Sequence, residues 1–216
     1  MLPIVSIVGE SKSGKTTLME KLIRELKSRD YQIATIKHAM GDLVLDRQGK
    51  DSWRHIQAGS EATAISSPRK FVLIKPITQE LNLDEIARLL GEDYDIILAE
   101  GFKQGNVPKI EVHRKDVGPP LGSLKKLVAI VTDEPLESKA RQFSSEDIGG
   151  LADLLEKGFI KPQKERISIY VNNSPIPLTG FPVTMISNVI VAMLSCLKGV
   201  ENIGNIEIFL KKEPKP

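Results

Sequence analysis

Ile4-Val5-Ser6-Ile7-Val8-Gly9-Glu10-Ser11-Lys12-Ser13-Gly14-Lys15-Thr16-Thr17 joins a short, β-branched, almost wholly apolar run to a glycine-bounded loop of the form G-x-x-x-x-G-K-T. The apolar run reads as a buried parallel strand, and Thr17 to Lys27 continues with helical spacing. A strand, a tight turn and a helix in that order curl successive backbone N–H groups round a phosphate at a helix N-terminus, where the helix dipole favours negative charge. Gly9, Ser11, Lys12, Ser13, Gly14, Lys15, Thr16 and Thr17 are therefore the candidate residues for a nucleoside triphosphate. Lys15 is expected to reach the β- and γ-phosphates and act catalytically, and the Thr16 hydroxyl to ligate magnesium.

Working outward, Gln32 to Lys37, Tyr94 to Glu100 and Leu127 to Thr132 read as further strands, and Phe71 to Ile74 as a short one. Asp51 to Ala58 and Leu83 to Leu90 have helical spacing. Strands alternating with helices predict an α/β fold, a doubly wound, mostly parallel sheet covered on both faces. Ligands of such sheets collect at the carboxyl ends of the strands. The segments after Lys37, Glu100 and Thr132 should thus converge on the phosphate loop. Ser144 to Asp147 supplies caps for a helix over Leu151 to Lys157, which Gly158 stops. The expected organisation is a nucleotide-binding domain over 1–160, a polar linker, and a small α+β extension over 166–216. In the extension, Ile167 to Val171, Pro175 to Leu178 and Ile206 to Leu210 read as strands and Phe181 to Leu197 as a helix. Thr184, Ser187, Asn188 and Ser195 give that helix a polar face, so it is expected to pack on a small sheet, with no membrane contact.

Thirty basic against 28 acidic residues leave a formal charge of +2 over 216 residues, which supplies no global attraction to nucleic acid or a membrane surface. One cysteine, Cys196, rules out an intramolecular disulfide. Met1 leads directly into the first strand, so a cytoplasmic location is expected.

The remaining chemistry lies at the strand ends. Glu100 closes an apolar run and precedes Gly101, the arrangement of an acidic residue that holds a metal-bound water or orients the attacking one. The charged stretch from Ile36 to Ser52 should lie over the γ-phosphate. There Asp46 or Asp51 is a candidate to meet magnesium, and Lys37 or Lys50 to neutralise developing phosphate charge. Lys103, Lys109 and Arg114 follow Glu100; they read equally as a receiver for a second anionic ligand or as a solvated basic edge. Asp133, after the Leu127 strand, is placed to accept two guanine N–H groups, although the Asn/Thr-Lys-x-Asp signature is absent. A small-molecule kinase shares this loop but closes an arginine-rich lid, for which Arg47 and Arg54 are meagre material. A scaffold that binds nucleotide without turnover is the other alternative.

Four ordered motifs resemble the molybdopterin-guanine dinucleotide biosynthesis protein B (MobB) family of phosphate-loop GTP-binding proteins. They are Gly9 to Thr17; Ile36-Lys37-His38; Asp46-x-x-Gly49-Lys50-Asp51-Ser52-x-Arg54 with Ala58-Gly59; and Glu100-Gly101-Phe102-Lys103 leading to Pro108-Lys109-Ile110-Glu111. The resemblance covers roughly the first 135 residues. It implies GTP as ligand with weak hydrolysis, Mg2+ dependence and a homodimer. It also implies an adaptor role in molybdenum cofactor biosynthesis, attaching a guanine nucleotide to molybdopterin beside a partner nucleotidyltransferase. Ala39-Met40-Gly41 stands where members often carry histidines, and Glu10 stands where a related dimer class carries a signature lysine.

Overall fold

In the computed structural model, the described residues are 2–39, 41, 47–163, 166–172 and 174–212. Leu2–Lys164 form one compact unit and residues 165–216 belong to a second.

The first unit is built on six parallel strands, β1 (Ile4–Val8), β2 (Ile33–Lys37), β5 (Ile96–Glu100), β6 (Lys109–Val112), β7 (Leu127–Val131) and β8 (Arg141–Phe143), in the order β2-β5-β1-β6-β7-β8. Parallel pairing puts every carboxyl end on one rim, and the order puts β1 between β5 and β6. Register aligns Ile7 and Lys37 with Glu100, and Val8 with Glu111. Two separate apolar clusters show that both faces are covered. Val5, Ile7, Ile96 and Leu98 pack with Leu18, Leu22 and Leu26 of α1 (Lys15–Ser28) and Leu151 and Leu155 of α4 (Ile148–Leu155). Ile4, Ile97 and Ala99 pack on the opposite face with Leu83 and Ala87 of α3 (Leu83–Leu90). This is the doubly wound arrangement expected where the central strands β1 and β5 are apolar on both faces.

Local signals set the helix ends. Asn82 caps α3 by accepting the Glu85 amide while the Glu85 carboxylate accepts the Asn82 amide, a complete capping box. Asp147 caps α4 through the Gly150 amide. A separate antiparallel pair, β3 (Thr63–Ser66) and β4 (Phe71–Ile74), follows α2 (Asp51–Gln57).

In the second unit β9 (Ile169–Val171) pairs antiparallel with β10 (Ser174–Ile176), and α5 (Phe181–Ser195) follows Gly180 with proline in its first turn. Ile206 to Leu210, expected as a strand, is irregular. A strand exists by pairing, and no described strand pairs with this run.

Candidate nucleotide-binding site

The chain leaves β1 at Gly9, with φ +153°, where a Cβ would run into the Val112 carbonyl oxygen and stand 2.7 Å from Ser13 Oγ. Only glycine lets the loop lie this close to the end of β6. Gly14, at φ +96°, is the N-cap of α1, and no side chain bonds to the first-turn amides. That first turn carries no acidic residue either. The helix thus begins with its N–H groups uncapped and its dipole uncompensated, a configuration that suits an anion.

Lys15 folds back over this loop and donates to the carbonyls of Gly9 (3.2 Å) and Glu10 (2.6 Å). Burial pushes its ammonium below the usual lysine range; the charges of Lys103 and Lys37 push the same way, and Glu100 and Glu10 oppose them. At the next residue, Thr16 Oγ1 donates to the Glu100 carboxylate at 3.1 and 3.3 Å. Lys37 Nζ stands 3.8 Å from the same carboxylate. A hydroxyl and a carboxylate in contact beside an uncapped helix start are the hard oxygen ligands magnesium takes, with phosphate oxygens and water completing its shell. The residues fit the ion. His38 donates its amide to the Glu100 carbonyl, lies with its ring 4.9 Å from that of Phe102, and meets Glu80 at 2.6 Å.

The three basic residues after Glu100 part company. Lys103 Nζ reaches across to the phosphate loop and pairs with Glu10 at 3.1 Å. Lys109 is fully buried, and its ammonium is shared among the carbonyls of Gly105, Val107 (3.0 Å) and Lys125 (3.2 Å). It is therefore neither a receiver for an anion nor a solvated edge. Burial pushes its pKa down, yet three acceptors match its three N–H groups. Arg114 lies 3.8 Å from where a Gly14 Cβ would be and 3.6 Å from Asp133.

Glu111 and His113, buried on β6 and just beyond it, are likewise held internally. The Glu111 carboxylate accepts the Leu121 amide at 2.5 Å while burial raises its pKa. His113 Nε2 meets Glu134 at 2.9 Å. Asp133 accepts the Lys115 amide at 3.1 Å, which with Arg114 holds its carboxyl below the usual range. Its carboxylate retains further lone pairs for a base.

Of the residues expected at the site, the structure brings together Gly9 to Thr17, Lys37 and Glu100. Lys50 and Asp51 open α2, where Asp51 meets Arg54 at 3.9 Å; among the described residues no hydrogen bond or ion pair joins either to the phosphate loop. Asp46 lies outside the described residues. An open cavity of about 640 Å³ between α2 and β3 is lined by His55, Gly59, Ser60 and Thr63, with no carboxylate among its lining residues. Sequence reading did not find the Lys103–Glu10 contact, whose one signal was a lysine three positions beyond the strand-end acid. The His38–Glu80 contact had no signal at all.

The family described as "Molybdopterin guanine dinucleotide synthesis protein B" matches residues 4–133. The chain is 36% identical to the molybdopterin-guanine dinucleotide biosynthesis adapter protein of Haemophilus influenzae, over 72% of this chain and 88% of that protein. It is 28% identical to the putative adapter protein of Methanocaldococcus jannaschii over 95% of this chain and 96% of that one, so the similarity extends into the second unit. Among solved structures it resembles the MobB protein homolog from Bacillus stearothermophilus, with a TM-score of 0.57 and 26% identity over 74% of this chain and 99% of that one.

Proposed function

The chain belongs to the molybdopterin guanine dinucleotide synthesis protein B family, and from that premise we propose that it is a magnesium-dependent GTP-binding adaptor of molybdenum cofactor biosynthesis. It assists a partner nucleotidyltransferase in joining a guanine nucleotide to molybdopterin in the cytoplasm, and it turns GTP over slowly. The observation that carries this reading is the contact of Thr16 with Glu100 beside the uncapped start of α1. Loop amides and Lys15 take the phosphates. Thr16 and Glu100 would hold magnesium, which would supply positive charge against the phosphates, and Glu100 would also orient the attacking water. Lys37 lies beside Glu100 to balance charge; Asp46, Lys50 and Asp51 close the terminal-phosphate side, and Asp133 accepts the guanine N–H groups.

A homodimer is part of the same reading. Ile65, Phe71, Val72 and Leu73 of the β3–β4 pair are exposed, Phe71 by 68%. A two-stranded sheet with apolar side chains in solvent is marginal alone, and its open edges invite pairing. No helix among the described residues is long and apolar enough to cross a membrane.

Reconstitution tests the function. The purified chain is added to the nucleotidyltransferase, molybdopterin and Mg-GTP, and formation of the dinucleotide is followed. Stimulation by the wild type and its loss in Lys15→Ala are expected; no stimulation by the wild type contradicts the proposal. Glu100→Gln separates the two modes, because a variant that binds GTP yet fails to stimulate makes turnover necessary.

A further inference from the structure

Glu10 holds two cations at once. Its carbonyl accepts Lys15 Nζ at 2.6 Å and its carboxylate pairs with Lys103 Nζ at 3.1 Å, across 93 positions of sequence. A loop whose helix start is built for an anion thus has one of its own acidic side chains paired with a lysine from the neighbouring strand end. Both side chains are close to half exposed, 42% for Lys103 and 48% for Glu10, so the pair is weak and readily exchanged for a stronger partner. A phosphate is such a partner, because its charge exceeds that of a carboxylate and charge-assisted bonds to it are strong.

The backbone around Lys103 suits such an exchange. Before it, Gly101 donates its amide to the Ile7 carbonyl of β1, and Phe102 lies against His38. After it, Lys109 holds the carbonyls of Gly105 and Val107, and Lys126 Nζ holds that of Asn106 at 2.9 Å. Lys103 and Gln104 span two anchored ends. Gly101 (φ +98°) and Phe102 (φ +54°) carry the left-handed backbone that turns this span from the end of β5 toward the loop. Because β5 lies beside β1 and ends in the Glu100 carboxylate that touches Thr16, the span flanks the magnesium and terminal-phosphate side of the site. Lys15 feels Lys103 as a repelling charge, which Glu100 and Glu10 oppose.

We propose that Lys103 senses the terminal phosphate: Glu10 holds its ammonium when no nucleotide is bound, and the γ-phosphate of a nucleoside triphosphate takes it over. Preference for triphosphate over diphosphate is then set by Lys103 and Glu10, and the Phe102–Gln104 span reports which nucleotide is bound. The inference rests on Gly9 to Thr17 being the nucleotide loop.

The experiment measures affinity for a non-hydrolysable GTP analogue and for GDP, both with magnesium, by calorimetry. Lys103→Met should weaken the triphosphate about tenfold and leave the diphosphate within about twofold; Lys103→Arg should recover most of the loss. Glu10→Gln should strengthen the triphosphate more than the diphosphate, and that difference should vanish when Lys103→Met is added. Equal weakening of both nucleotides by Lys103→Met, or no effect on either, overturns the inference. If the wild type binds neither nucleotide, the reading of the loop falls first and the inference with it.

Discussion

At the scale of single residues, Gly9 and Lys109 carry more constraint than their neighbours. A Cβ at Gly9 would collide with the Val112 carbonyl and crowd Ser13 Oγ, and neither the strand end nor the loop can give way without moving the phosphate cradle. Gly9→Ala is expected to cost about 1–3 kcal/mol in urea unfolding, as overpacking does, and to abolish nucleotide binding. Wild-type stability and affinity in that variant would contradict the geometry. Lys109 is a buried cation whose N–H groups all meet backbone carbonyls, and it bolts down the loop that carries Lys103. Lys109→Met leaves those carbonyls without a donor in a dry site, at about 1–3 kcal/mol for each one that water cannot reach. Denaturant unfolding should show a loss of at least that size, and an unchanged midpoint would mean the clamp is dispensable.

At the scale of elements, α1 and α4 are tied by Arg29, which meets Asp153 at 2.7 Å, Glu156 at 2.8 Å and Glu25 at 2.8 Å. Hydrogen bonds from Lys157 and Arg29 hold the Asp153 carboxyl at about 2, and those from Lys161 and Arg29 hold Glu156 at about 2. Both folded values lie below the ordinary 3.8 and 4.5, so this stabilisation is complete above about pH 4.5 and drains away as pH falls toward 2. Stability measured from pH 7 to pH 2.5 should fall less steeply in Arg29→Met than in the wild type, and parallel curves would contradict the assignment. The same elements show what sequence can reveal. β1, β5 and β7 are legible as apolar runs because both of their faces are buried. β6 is legible only as the strand that follows the loop after Glu100, because Lys109 and Glu111 break its apolar pattern and are held by carbonyls and an amide of the loops that adjoin it. β8, Arg-Gln-Phe at the sheet edge, is too short and polar to register, and exists through its ladder with β7.

At the scale of the whole molecule, strand order does what no single motif does. It sets β5 beside β1, so that Glu100 and Thr16, 84 positions apart, come into contact, and the convergence expected from a parallel sheet is realised at Lys37, Glu100 and the loop. The position of the charged stretch after β2 was not legible, since Lys50 and Asp51 begin a helix with no buried residue to pin it over the loop. The proposed homodimer belongs to this scale too. Replacing Phe71 and Val72 of the exposed β4 by lysine should turn a dimer into a monomer in sedimentation without loss of the first unit's fold, and an unaltered dimer would place the contact elsewhere. The most direct measurement is the affinity of the wild-type chain and of Lys15→Ala for Mg-GTP and Mg-ATP. GTP should bind more tightly than ATP, and Lys15→Ala should lose both; a strong preference for ATP, or undiminished binding without Lys15, would contradict the account.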